Sequence, residues 1–282
     1  MLDTMRYINH LGEIIQFGTT YYANYNDLRD YAWTYSTEFN RVVNFRRSVT
    51  EKAIPILIKC ASSSEAATLK NRFFSITEKD VIADMPGRFW IGEYYYKCYV
   101  TQSKKSDYLV DKTYLAVSVV VVSDRPVWTR EISTLFQYNA ATEVEEITVP
   151  SRDYEYGYMY DYTDAGSTGF VGSINNPHFA AVDFIAVING GSGVTAPEII
   201  IGADSHKFTY TIPTDGYVTL NTRDRTLIAT AADGTQMNIF AKRDKSNDIF
   251  AQIKSGISGV NWNGAFDFEI TLLIERSEPE WT

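Results

Sequence analysis

Asp84-Met-Pro-Gly-Arg-Phe-Trp-Ile-Gly-Glu-Tyr-Tyr-Tyr-Lys-Cys-Tyr-Val100, followed after a lysine–serine stretch by Tyr114-Leu-Ala-Val-Ser-Val-Val-Val-Val-Ser-Asp-Arg-Pro-Val-Trp128, is the part of the chain that decides its fold. Aromatic and β-branched residues crowd both runs, and these are the types that fit a pleated surface. The Pro86-Gly87 pair opens the segment and Pro126 punctuates its end. Nothing in it has the makeup of an active site. So much adhesive strand with so little catalytic equipment predicts a part that works by assembling with others. The candidate joint is its aromatic and valine surface: Trp90, Tyr94, Tyr96, Tyr114, Val117, Val119, Val121 and Trp128. Left flat and uncovered, the run Leu115–Val122 is an aggregation liability that a second copy would have to cover.

Working outward, the N-terminal side reads as strands at 13–17, 31–39 and 53–60, with Pro55 marking the third as an edge or irregular strand. One helix stands out. Ser62 and Glu65 form a capping box, and Ala66, Leu69, Phe73 and Ile76 recur at helical spacing. The pattern predicts a helix that lays this stripe on a sheet and ends near Ser75–Thr77. The residues from Gln102 to Asp107 are expected to turn the chain between the two strands of the opening segment.

Glu143, Glu145, Glu146 and Pro150 suggest a connector, which divides the chain into a ring-forming domain at 1–145 and a second domain at 146–282. Just past it, Tyr154, Tyr156, Tyr158, Tyr160 and Tyr162 fall at every second position, so that an extended strand would carry all five phenols on one face. They read either as a strand packing on a neighbouring sheet or as a contact strip for a partner or sugar. The remainder reads as seven short strands separated by turns, including Asp215-Gly216 and Asp233-Gly234. With almost no helix, that indicates an antiparallel sandwich or jelly roll. Trp262 lies in a polar stretch, where it could stack on a sugar or plug one end of the sandwich.

Composition bounds the function. The 282 residues suit two domains that need neither metal nor disulfide to hold a core. The net charge of −9 leaves no basic patch of the kind a phosphate backbone requires, so no tight nucleic-acid binding is expected. No apolar run is long enough to span a bilayer, and the first residues lack the pattern of a signal peptide, so neither membrane insertion nor secretion is expected. Cys60 and Cys98 sit in apolar strand-like surroundings and fit reduced, buried thiols made in a cytoplasm. His10, His178 and His206 lie far apart and none has a ligand at metal spacing. The glycine-rich loop at 191–196 leads into Pro197 and a strand rather than a helix, which rules out a dinucleotide cradle. No catalytic residue, cofactor or metal is nominated, and an enzyme is not expected.

The order of these features resembles a known family. A small N-terminal β-sandwich is followed by one helix, the Pro86-Gly-Arg-Phe-Trp-Ile-Gly strand, and the valine run ending in Ser123-Asp-Arg-Pro-Val-Trp128. A second sandwich then closes on Ile270-Thr-Leu-Leu-Ile-Glu-Arg-Ser-Glu-Pro. This is similar to the distal tail (Dit) proteins of long-tailed, non-contractile phages and prophages of Gram-positive hosts. The resemblance implies a mainly β protein: an N-terminal β-sandwich with one α-helix, and a galectin-like or jelly-roll C-terminal β-sandwich. It implies a homohexameric ring that joins the tail tube protein to the tail-tip hub, with outward domains able to carry receptor-binding proteins. Its place would be the virion tail, assembled in the host cytoplasm. The alternating tyrosines fall outside the family pattern. A different reading is a carbohydrate-binding adhesin whose C-terminal sandwich holds glycans on Trp262 and the tyrosine strip.

Overall fold

A computed structural model describes residues 5–24, 26–108, 114–137, 170–191 and 193–280. The protein is mainly β with antiparallel sheets. It divides into two compact units, Met1–Glu131 with Glu275–Thr282, and Ile132–Ile274. The expected boundary at 145/146 lies outside the described residues.

The first unit contains β1 (Met5–Ile8), β2 (Ile14–Gln16), β3 (Tyr21–Ala23), a one-turn α1 (Asn26–Arg29), β4 (Thr34–Glu38), β5 (Arg41–Arg46), β6 (Thr50–Lys59), α2 (Ser63–Ala83), β7 (Gly87–Ile91), β8 (Tyr94–Tyr108), β9 (Tyr114–Ser123) and the start of β10 (Trp128–Phe136). One sheet runs β10-β8-β7-β1-β2, and β8 also pairs with β9, from which the ladder continues through β6 to β3. The strand β8 serves both sets of neighbours. Its residues Tyr94–Cys98 pair with β7, and its continuation from Tyr99 to Tyr108 pairs with β9. Register shifts between Val100 and Gln102, and between Lys105 and Tyr108, give it the bulges that let a long strand bend. These residues therefore continue the strand where a turn was expected. Between the strand layers lies a core of Tyr7, Phe17, Phe89, Ile54, Ile56, Val117 and Val119, among others.

The helix α2 closes this core. Ser62 Oγ accepts from the Glu65 N–H at 3.2 Å, and the Glu65 carboxylate accepts from the Ala61 N–H at 2.6 Å, so the capping box forms with its return arm reaching one residue further back. Ala66, Phe73 and Ile76 are buried as the periodicity predicts, with Leu69 packed beside them. The helix does not stop at Ser75–Thr77. It runs to Ala83, because Glu78–Ala83 are acceptable helix residues and nothing breaks the ladder before Asp84 turns left-handed at φ 52°. The extra turns carry Asp80 into the core, where it is wholly buried. Tyr7 Oη donates to Asp80 Oδ2, and the His10 N–H donates to Asp80 Oδ1 at 2.9 Å. Burial foremost, with the Asp80 carboxylate in support, pushes the Tyr7 hydroxyl above its ordinary range and keeps it a donor. Gly87 lies against this bond. A Cβ there would overlap both the Tyr7 hydroxyl and the Asp80 carboxylate, so the glycine of the Pro-Gly pair is fixed by close approach.

The second unit contains the rest of β10, then β11 (Phe170–Asn176), β12 (Asp183–Asn189), β13 (Val194–Thr195), β14 (Glu198–Ile201), β15 (Asp204–Lys207), β16 (Thr211–Ile212), β17 (Tyr217–Asn221), β18 (Thr226–Thr230), β19 (Gln236–Asn238), β20 (Gly256–Trp262) and most of β21 (Phe268–Arg276). The strands β19-β18-β17-β12-β21 make one layer and β11-β20-β14-β15 another, with β13 and β16 paired apart. Alternate residues of both layers, including Phe184, Ile188, Leu220, Ile199, Val260 and Ile270, fill one core. That is a β-sandwich. Asp233-Gly234 joins the paired strands β18 and β19, whereas Asp215-Gly216 links β16 to β17, which do not pair. The strands β11 and β20 escape the sequence reading because Gly, Ser and Asn dilute their strand pattern.

Candidate assembly surface

The residues expected to form the joint lie mostly inside the first unit. Tyr94, Tyr96, Val117, Val119, Val121 and Trp128 are buried in its core, while Trp90 and Tyr114 are half-buried. This corrects the reading of the valine run as an open surface. The strand β9 is flanked along its length by β6, from Thr50↔Ser123 to Lys59↔Tyr114, and on its other side by β8. The chain satisfies both edges of β9 itself. Tyr96 shares a hydrogen bond with Thr50 Oγ1 (2.9 Å) and packs at a tilt on Trp128, ring centres 5.3 Å apart, and both rings are enclosed in the core.

The open surface lies elsewhere, on a feature the sequence marked only as part of a strand. Among the described residues, β4 and β5 pair with each other and with no other strand. Every residue of this ribbon except the half-buried Val43 is exposed. Between Thr34↔Arg46 and Ser36↔Val43 a bulge sets Tyr35 against Asn44 and Phe45, with Asn44 at φ 55°. The bulge turns the Phe45 ring to within 6.3 Å of Tyr35. Tyr35, Val42 and Phe45 thereby form an apolar strip with 60%, 50% and 61% of their surface in solvent. At the tip, Phe39 (φ 46°) and Asn40 (φ 59°) make a two-residue turn with both φ angles positive. Asparagine suits that position; phenylalanine does not, and its side chain is fully exposed. A strained, fully solvated Phe at the end of an isolated ribbon is costly on its own. Two-stranded ribbons are also at best marginally stable in water.

The base of the ribbon is anchored. Arg47 stacks over Trp33 at 4.3 Å and donates to Ser277 Oγ at 2.7 Å. Ser277 belongs to the chain's final stretch, which docks on the first unit. There the buried Arg29 donates to the Pro279 carbonyl at 3.2 Å, and Arg125 pairs with Glu275 at 2.9 Å. A second apolar area faces away from the same unit's core: Ala53, Pro55 and Leu57 on β6 stand beside Val120, Ser118 and Ala116 on β9. The β6 residues are exposed and the β9 residues half-buried. At Pro55 the strand is an edge on one side, since β3 reaches only as far as Ile56.

The remaining expected residues separate. Tyr154, Tyr156, Tyr158, Tyr160 and Tyr162 lie outside the described residues. Trp262 is the last residue of β20 and is buried, edge-on to Phe136 (5.7 Å) and Phe268 (5.1 Å), so it is a core plug and offers no stacking platform. Cys60 and Cys98 are both buried, and burial raises the Cys98 thiol far above its ordinary value. His206 is buried with Nδ1 2.7 Å from the Ile249 carbonyl, and burial holds it below its usual range. Among the described residues, no group of three or more His, Cys, Asp or Glu could hold a metal ion, and no helix is long and apolar enough to cross a membrane.

No protein-family model and no curated protein matches the sequence. Solved structures do share its fold. The SPP1 Dit protein, described as a paradigm of the hub adsorption apparatus in phages infecting Gram-positive bacteria, aligns at TM-score 0.57 and 9% identity over 98% of this chain and 100% of that one. A chain of the phage P2 baseplate in its activated conformation with calcium aligns at TM-score 0.61 and 11% identity, covering 99% of this chain and 100% of that one. The same baseplate with strontium gives 0.60 and 12%, with the same coverage.

Proposed function

We propose that this chain is a structural subunit of a phage tail tip or baseplate, a Dit-like protein that works by closing into a ring of identical copies. The β4–β5 ribbon carries the reading. It holds a strained, fully exposed Phe39 and the strip Tyr35, Val42 and Phe45 away from its own core. Such a ribbon gains its stability from a surface on another molecule. A closed ring needs two different patches on each copy, because its contacts are head-to-tail. The ribbon is one, and the outer face of β6 and β9 around Leu57 and Val120 is suited to be the other.

In this reading the ring, six copies by analogy with the distal tail proteins, joins the tail tube protein on one side to the tail-tip hub on the other. The second unit is left to carry receptor-binding proteins. The site of action is the virion tail, with assembly in the host cytoplasm. The likeness to SPP1 Dit and to the P2 baseplate over nearly the whole chain supports this role. No catalytic role is assigned. The carbohydrate-binding alternative loses its tryptophan, since Trp262 is enclosed in the sandwich core.

The test is the solution mass of the purified protein by sedimentation velocity, with negative-stain images of the same sample. Closed rings are expected. A monomer that persists at the highest soluble concentration would defeat the reading.

A further inference from the structure

The edge of β6 that faces β3 is paired over only part of its length. On that side Lys59 donates its N–H to the Thr20 carbonyl at 2.8 Å, and Leu57 stands opposite Tyr22. Backbone groups alternate in direction along a strand, so the odd-numbered residues of β6 present N–H and C=O to this edge and the even-numbered ones turn theirs to β9. Past Ile56 the partner strand ends. Glu51 and Ala53 therefore hold their backbone groups toward an edge that, among the described residues, no strand occupies. Pro55 belongs to the same series, and its missing N–H is tolerated because that position has no ladder bond to lose. Alongside lies a groove of about 410 Å³, with Asp30, Tyr31 and Ala32 on one wall and Thr50–Ala53 on the other. Lys52 reaches across and donates to the carbonyls of Leu28 and Asp30, which ties the two walls together.

An open strand edge beside a groove is the form that accepts an added strand. A second copy carries one that fits. In the ribbon, Glu38 and Arg41 face each other across the two-residue turn, so Val42, next along β5, directs its N–H and C=O away from β4. Charge selects β5 over β4. The groove sets Asp27, Asp30 and Glu51 against the one cation Lys52, whose ammonium is already spent on two carbonyls. The strand β5 brings Arg41 and Arg46, both exposed, and among the described residues neither is in an ion pair. The strand β4 brings only Glu38. A copy's own ribbon does not supply the edge: β5 and β6 do not pair, and Arg47 between them is tied to Trp33 and Ser277.

We infer that β5 of a second copy adds to the open edge of β6 at Glu51–Ala53. Its backbone partners the Glu51 and Ala53 amides, and Arg41 and Arg46 meet the carboxylates of Asp30 and Glu51. Tyr31, exposed on the groove's wall, meets the apolar side chains of the ribbon. The inference rests on the self-association argued above and deepens it. To the contact of faces near Leu57 and Val120 it adds a sheet that continues from one copy into the next.

Amide hydrogen exchange on the full chain, above and below its assembly midpoint, reads the edge directly. The Glu51 and Ala53 amides should exchange freely in the separate copy and about tenfold more slowly in the assembly. Equal rates in the two states would overturn the proposal. Two charge-reversed chains test the occupant. One carries Arg41→Glu with Arg46→Glu, the other Asp30→Lys with Glu51→Lys, and by itself each should assemble about tenfold less tightly than the native chain. Mixed in equal amounts they should recover the native midpoint, because each altered ribbon then finds a reversed edge and each native ribbon a native one. A mixture of folded chains that does not recover would overturn β5 as the added strand. The exchange measurement, made on the unaltered chain, decides the matter should a variant fail to fold. Mass photometry separates the two ideas: rings whose Glu51 and Ala53 amides stay unprotected refute the edge contact alone, and monomers refute the ring and the contact together.

Discussion

Replacing Phe39 by Asn should weaken assembly and leave the isolated subunit as stable as before, or slightly more so. The side chain is fully exposed, so the monomer loses no packing. Its backbone sits at φ 46°, a region that costs an ordinary L-residue about 1–2 kcal/mol and that Asn tolerates. Relief of part of that cost predicts an unfolding temperature unchanged or raised by a few degrees. In the assembly, complete burial of a Phe side chain contributes about 2 kcal/mol at each contact, which corresponds to roughly a thirtyfold change in the pairwise constant. Adding Phe45→Ser, whose ring is 61% exposed, should remove a further ~1.5 kcal/mol. The double variant would then assemble about 300-fold less tightly. A sedimentation-velocity concentration series measures this directly, with a thermal melt of each variant alongside. An unchanged assembly midpoint would refute the ribbon as the joint. A melt lowered by many degrees would show instead that these rings already pack within the subunit.

Other expectations follow from the cores. Gly87→Ala forces a methyl group into the Tyr7–Asp80 bond and should cost the first unit about 3 kcal/mol, seen as a lower-temperature transition in calorimetry. Ser62→Ala removes the acceptor for the Glu65 N–H and should cost about 1 kcal/mol in chemical denaturation, with the helix otherwise intact. His206 has a folded pKa below its unfolded value because burial disfavours the imidazolium, so its contribution is complete above about pH 6.5 and is lost as pH falls through the folded value. The second unit should therefore lose stability on acidification below that point, and His206→Gln should flatten the dependence in urea titrations taken at several pH values.

The elements of this fold were largely readable from the residues, because each announces itself locally. The Ser62 and Glu65 box starts the helix, and alternation marks β9 and β12. What the sequence concealed was which strand covers which. The valine run looked open because its flanking strand β6 lies far upstream, and no local pattern reveals that Thr50–Lys59 pairs with it residue for residue. The ribbon presented the opposite difficulty. Tyr35, Val42 and Phe45 have the composition of a half-buried strand, and only the missing third strand shows them to be exposed. Positive φ at Phe39 is equally invisible, since the turn-forming residue beside it is Asn40 rather than glycine. Trp262 stays open between platform and plug in the sequence for a simpler reason: asparagines on both sides make a core strand end read as a polar stretch.

The docking of the final residues on the first unit bears on how the protein is made. Arg29 is translated early, yet the Pro279 carbonyl and the Glu278 carboxylate that meet it emerge from the ribosome some 250 residues later. Until then the early half is a nascent body with an unfinished seam. Prematurely terminated products would keep that seam open beside the ribbon's anchor at Arg47, which also awaits Ser277. The first unit thus completes its packing only after residues 275–279 have been made, a long-range closure written into the order of synthesis.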